Sequence, residues 1–296
     1  MRLDAFIPAA VGLVLCIAVV EIRMDGPWAE GVLVLVAAAP AAALVYLGLG
    51  ASGSDGATRS AVTIFLVAGL VLAGVAIARL GHALGGDDFT AAGGTLTWML
   101  AAFTALAAFC ASKARSAACL LIAALAAVGL LMEAVNWIFD AEDIDVFRVL
   151  LALSFATLFA AGLAVAGRSG TILVAAAGVT VLVASFVTGG GLLFFGGADD
   201  LGWGWELVTL LQGVALVAYA AQRLEPGPAY LAFFILVVFL QTAAAVDGGD
   251  GLINADDGSD PDRSISLVGW PLALALGTVV AVLWGLRQSV PERRAR

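Results

Sequence analysis

Ten apolar runs, each about as long as a bilayer is thick, dominate the chain. They fall near residues 5–21, 29–50, 61–81, 95–112, 117–138, 147–166, 171–195, 205–221, 229–246 and 267–286. A helix needs about 20 mostly apolar residues to cross the hydrocarbon. These runs are apolar all round, without the polar face of a surface helix. Backbone groups in lipid must be satisfied within the segment, so each run is read as α-helix. A transmembrane β-barrel would show alternating segments of about ten residues, and these runs are continuous. The expected fold is therefore all-α: a polytopic integral membrane protein, with a single bundle of about ten transmembrane helices. One domain covers residues 1–296 and ends in a short basic tail, 287–296.

Composition removes the alternatives. Of 296 residues, 62% are hydrophobic and 12% charged, and the mean hydropathy is +1.05. Soluble domains are nearer half apolar and a quarter charged, and disordered chains are polar and highly charged. Chemistry-bearing residues are scarce. There is one histidine, His82, and three cysteines, Cys16, Cys110 and Cys119. A zinc site wants about four Cys or His ligands, and a disulfide framework wants an even set of cysteines. The cysteines are read as small buried apolar residues. The phosphate-loop, nucleophile-elbow and zinc-protease motifs are missing, and no basic patch suits nucleic acid. The sequence implies no enzyme, no cofactor and no metal. The first run is read as a retained helix. Its leading residues, Met1-Arg2-Leu3-Asp4, carry an acid, and no small-residue cleavage site follows Val20. Leu15 before Cys16 argues against a lipoprotein.

Charges alternate along the connections. One set is basic: Arg59, then Lys113 and Arg115, Arg168, Arg223, and the tail with Arg287, Arg293, Arg294 and Arg296. The other is acidic: Asp25, then Asp87 and Asp88, Asp140 to Asp145, Asp199 and Asp200, and the loop 247–263. With ten spans, one side holds ten bases and four acids, and the other four bases and nineteen acids, Glu133 included. Basic loops stay cytoplasmic. Both termini are expected inside the plasma (inner) membrane, with the acidic loops outside. The basic turns keep a rhythm: Arg59, Arg115, Arg168 and Arg223 are 56, 53 and 55 residues apart, and Asp87, Asp143 and Asp199 are 56 apart. A hairpin duplicated four times gives this spacing. So do two helices and two short loops without any duplication.

Two segments interrupt regular helix-forming text. Pro40, in mid-run, removes a backbone donor and predicts a kink. Gly189-Gly190-Gly191 costs roughly 3 kcal/mol against alanine in a helix. It is read as a helix end, an unwound element beside a cavity or a close-packing surface. Small residues four apart, such as Ala37 and Ala41, Gly162 and Ala166, and Gly277 and Ala281, allow close backbone approach. The acids of loop 247–263 do not follow the calcium-hand pattern and are read as a solvated loop, with cation binding as the alternative. Trp28, Trp203, Trp205 and Trp270 sit at outer helix ends, as an interfacial belt would.

Polar residues within the runs mark the candidate site. Glu133 and Asn136 share a helix face at i, i+3, as do Arg79 and His82. Gln212 and Gln241 lie in the eighth and ninth runs. With alternating helix directions, Arg79, His82, Glu133, Asn136, Gln212 and Gln241 all fall in the outer half of the membrane and form one candidate substrate layer. Charges at this depth cost roughly 2.5–3.5 kcal/mol, so Arg79 and Glu133 are expected to pair. Glu206 and Arg148 are read as interface residues.

Two functions fit. One is a carrier of small solutes or ions with its site in that layer. The other is a non-transporting subunit, scaffold or sensor whose acidic outer loops meet a protein partner. Besides the lipid bilayer, the expected partners are thus a small solute or ion, or a protein. In size and topology, ten spans in some 300 residues are similar to the drug/metabolite transporter class of permeases, although no motif carries residues across.

Overall fold

The computed structural model describes residues 3–24, 29–53, 58–85, 93–140, 144–188 and 203–244. Among them every regular element is helical. After a 3₁₀ turn at Leu3–Phe6, nine α-helices follow: α1 (Ile7–Met24), α2 (Glu30–Ala51), α3 (Arg59–Gly85), α4 (Gly93–Ala114), α5 (Ala117–Phe139), α6 (Ile144–Ala164), α7 (Arg168–Thr188), α8 (Trp203–Arg223) and α9 (Pro226–Ala244). Each covers one of the first nine apolar runs. The tenth run at 267–286, the glycine triplet, the loop 247–263 and the tail lie outside the described residues. Seven helices, α1 to α6 and α8, are long and apolar enough to cross a membrane; α7 and α9 count as shorter apolar helices, over Arg168–Ala184 and Pro226–Phe239.

Large apolar side chains stand exposed around these helices. Ile22, Tyr46, Leu84, Phe139, Leu224 and Tyr230 are all more than 65% exposed. A soluble monomer rarely tolerates such continuous apolar surface, whereas lipid solvates it. Cys16 is on this outer surface, contrary to the buried place expected for it, while Cys110 and Cys119 are buried. α1 covers too little of its circumference against its neighbours to hide Cys16. Pro40 lies inside α2, which runs as one helix from Glu30 to Ala51.

The helices group into two units, Met1–Glu142 and Asp143–Arg296. In the first, α3 is the central helix: 56% of its apolar stretch is buried, against 17% for α1. One side of α3 packs Phe65, Ala68, Leu72 and Ala76 against Ala37, Ala41 and Leu44 of α2 and Ala10 and Ile17 of α1. Another packs Val62, Leu66 and Leu70 against Ala107 and Cys110 of α4 and Cys119 and Ala123 of α5. In the second unit α7 joins the others: Val174, Ala177 and Val181 meet Phe155 of α6, Leu216 and Tyr219 of α8, and Ala232 and Ile235 of α9.

The most extensive helix contacts are within sequential pairs: α2 with α3, α4 with α5, α6 with α7, and α8 with α9. The turns inside these pairs hold Arg59, Arg115, Arg168 and Arg223, and all four arginines are exposed. Three turns are tight and use one left-handed residue each, Arg115 at φ 49°, Gly167 at φ 76° and Leu224 at φ 56°, the usual way to end a helix and reverse the chain. Three also share a sequence: Arg59-Ser60-Ala61, Arg115-Ser116-Ala117 and Arg168-Ser169-Gly170. The small third residue has a steric reason at two of them. Ala61 is fully buried, and a Cβ on Gly170 would stand 2.1 Å from the carbonyl oxygen of Val165. Backbones also meet closely in mid-hairpin, where a Cβ on Gly69 of α3 would lie 2.7 Å from Val45 Cγ2 and 3.2 Å from the Ala41 carbonyl oxygen of α2.

Candidate functional site

α1 and α3 run parallel, tied at both ends. At their amino-terminal ends Thr58 caps α3 by accepting the Ala61 N–H at 3.2 Å, and its hydroxyl donates to the Asp4 carboxylate. At their carboxy-terminal ends Arg79 Nε donates to Glu21 Oε2 at 2.7 Å, and Arg79 Nη2 donates to the Glu21 backbone carbonyl at 3.2 Å. Two bonds from one guanidinium to one residue fix both side chain and helix end.

Glu30, in the first turn of α2, completes the group. Its Oε1 lies 3.6 Å from Arg79 Nη1 and 3.7 Å from His82 Nδ1. Arg79 and His82 come from one face of α3, three residues apart, as their spacing predicts. The acids come from α1 and α2, the two helices packed on that face. The side chains of Glu21 and Arg79 are only 7% and 17% exposed. One oxygen on each acid, Glu21 Oε1 and Glu30 Oε2, is buried without a hydrogen-bond partner.

The acid partners of Arg79 correct the expected pair with Glu133. Glu133, half-buried on α5, makes no ion pair or hydrogen bond among the described residues, and Asn136 and Gln212 likewise make none with their side chains. The reason is helix length. α1 continues through Ile22 and Arg23 to Met24, which carries Glu21 inside the helix; the apolar run as read from sequence stops at Glu21. The apolar Ile22 and Met24 beyond it were the available signal. Glu30 likewise stands at the margin of its run, just ahead of continuously apolar text. Gln212 belongs to the second unit, and the side chain of Gln241 lies outside the described residues.

Two further residues differ from expectation. Glu206, read as an interface residue, is 7% exposed in the first turn of α8. There it faces the positive end of the helix dipole, a favourable place for an acid. Arg148 pairs with Asp145 one turn away at 3.0 Å, and its side chain is 14% exposed. Neutral polar contacts also tie the second unit. Thr171 and Tyr219 hydroxyls meet at 3.3 Å across α7 and α8, and Thr180 donates to the Ala177 carbonyl at 2.7 Å.

Among the described residues no three His, Cys, Asp or Glu side chains stand close enough to hold a metal ion. The Glu21–Arg79–Glu30–His82 group is therefore an ionic cluster at one end of three apolar helices, with charge and unmet acceptors but no nucleophile or metal set. The chain matches no protein-family model, no curated protein and no solved structure.

Proposed function

We propose that this is a multi-pass membrane carrier of small solutes or ions whose site is the ionic cluster at the ends of α1, α2 and α3. One observation carries the reading: a buried and a half-buried carboxylate meet a guanidinium at the ends of three apolar helices, and two carboxylate oxygens have no hydrogen-bond partner. Ionisable groups in membrane helices are costly and mark ion and substrate paths. The hairpin plan supports it too, because transporters are commonly built from repeated helical units. Four sequential hairpins, three with Arg-Ser followed by Ala or Gly at the turn, favour duplication over chance spacing. We further propose ten spans in the plasma (inner) membrane, both termini cytoplasmic, with the cluster facing outward. The ten-to-four and four-to-nineteen splits of bases and acids support that orientation.

The competing reading is a non-transporting subunit or sensor in which Arg79 only clamps α1 to α3; the two hydrogen bonds from Arg79 to Glu21 favour it. Reconstituted protein separates the two. Liposomes are offered labelled amino acids, small amines and alkali cations under an imposed membrane potential. A carrier takes up at least one above empty liposomes, and Glu21→Gln lowers that uptake at least tenfold. Uptake equal to empty liposomes across the panel rejects the carrier.

A further inference from the structure

We infer that the cluster at the ends of α1, α2 and α3 binds a small singly charged cation, held by Glu21 Oε1 and Glu30 Oε2. The inference deepens the carrier reading and rests on the same cluster, but it concerns binding and does not require transport.

Two carboxylates, Glu21 and Glu30, face one guanidinium, that of Arg79. Arg79 is committed chiefly to Glu21, at 2.7 Å. Its approach to Glu30 at 3.6 Å, and that of His82 at 3.7 Å, are longer than hydrogen bonds. Glu30 is thus attracted without being satisfied. A buried carboxylate oxygen without a donor is costly, and buried polar atoms in folded proteins nearly always have partners. Here two such oxygens occur, one on each acid, and both acids are drawn to the same guanidinium. What the two acids lack is a donor or positive partner at these unmet acceptors.

The chemistry of those acceptors narrows the ligand. Calcium takes six to eight oxygen ligands, and magnesium needs a near-ideal octahedron. No group of three acidic, histidine or cysteine ligands exists among the described residues, which disfavours a divalent ion. The guanidinium already lies against both acids and would repel a double charge more strongly than a single one. An anion would meet two carboxylates. A sodium, potassium or ammonium ion would supply the missing positive partner, ammonium by donating N–H bonds and a metal ion by direct coordination.

The test is thermal unfolding of the full chain in lipid nanodiscs at one fixed pH. The chloride salts of sodium, potassium, ammonium and N-methylglucamine are compared at matched ionic strength. A ligand that binds only the folded state raises Tm with its concentration. At least one of the three small cations is expected to raise Tm above bulky N-methylglucamine, with saturation. That difference should vanish in Glu21→Gln, Glu30→Gln and their double variant, and persist in Glu225→Gln, at the turn between α8 and α9. Stabilisation by ammonium alone assigns a ligand with N–H donors, and stabilisation by sodium or potassium assigns direct coordination; either supports the inference. Equal Tm in all four salts overturns it. So does a cation effect that survives in both single variants, since binding would then be elsewhere. If the double variant does not fold, the single variants and the wild-type comparison still decide. A cation effect without uptake into liposomes supports this site and rejects the carrier.

Discussion

Arg79 stands between two carboxylates, and its loss should be felt more than the loss of either acid. Arg79→Ala leaves the buried Glu21 and the half-buried Glu30, at the ends of α1 and α2, without the guanidinium that draws them together. Removing one partner of a buried ion pair typically costs about 3–5 kcal/mol. Glu21→Gln keeps an oxygen that accepts from Arg79 Nε and leaves Glu30 near Nη1, so its cost should be less than half as large. Adding Glu21→Gln to Arg79→Ala should recover part of the stability, because one stranded charge is removed. Reversible unfolding of the four proteins in nanodiscs measures this coupling. Strictly additive effects would mean that the pair is not an energetic unit. At this scale, sequence reasoning found half of the cluster. Arg79 and His82 were legible because each interrupts an apolar run. Glu21 and Glu30 were not, because each stands at the margin of an apolar run. A shift of three residues in the end of α1 decides whether Glu21 lies in water or against α3, and boundaries of helices are the least determined part of any sequence pattern.

The working element is the hairpin. Apolar packing inside a membrane gains nothing from the hydrophobic effect, since lipid is as apolar as leucine; close van der Waals contact takes its place. That is why small residues line the helix pairs: Gly69 against Ala41 and Val45, Gly162 and Gly170 across α6 and α7, and Gly213 against Leu236. Of the small-residue pairs, Ala37 and Ala41 are buried against α3, whereas Ala166 is exposed in the turn after α6. Spacing alone did not separate them, because small residues occur throughout this chain. Gly170→Ala is expected to destabilise by about 1–3 kcal/mol, since its Cβ would strike the Val165 and Gly162 carbonyl oxygens, and backbone does not move aside cheaply. Gly129→Ala meets nothing within 4 Å and should be neutral or up to about 1 kcal/mol stabilising. Chemical unfolding in mixed micelles gives both numbers. Equal effects would show that the α6–α7 turn is looser than its geometry.

For the whole molecule, the orientation is the quantity most exposed to a simple test. In a variant with Cys16, Cys110 and Cys119 replaced by alanine, a single cysteine at position 257 should react with a membrane-impermeant maleimide on intact cells, and one at position 115 should react only after permeabilisation. Labelling of 115 from outside would reverse the proposed topology and with it the outward face of the cluster. The type and rough placement of the nine helices among the described residues follow from sequence alone. A run of some 20 apolar residues has one stable backbone solution in lipid, and it needs no information from the rest of the chain. The basic turns are equally local: an exposed arginine between two apolar runs marks where the chain reverses. Which helices touch, and which charges meet, is not local. Tertiary structure made α3 the central helix of its unit and set α1 parallel to it. It placed Glu21 of α1, rather than Glu133 of α5, against Arg79. Helices that are apolar on every side carry no stripe to say which face turns inward, so their partners are chosen by the fit of small side chains and by a few polar contacts, and those exist only once the helices are assembled.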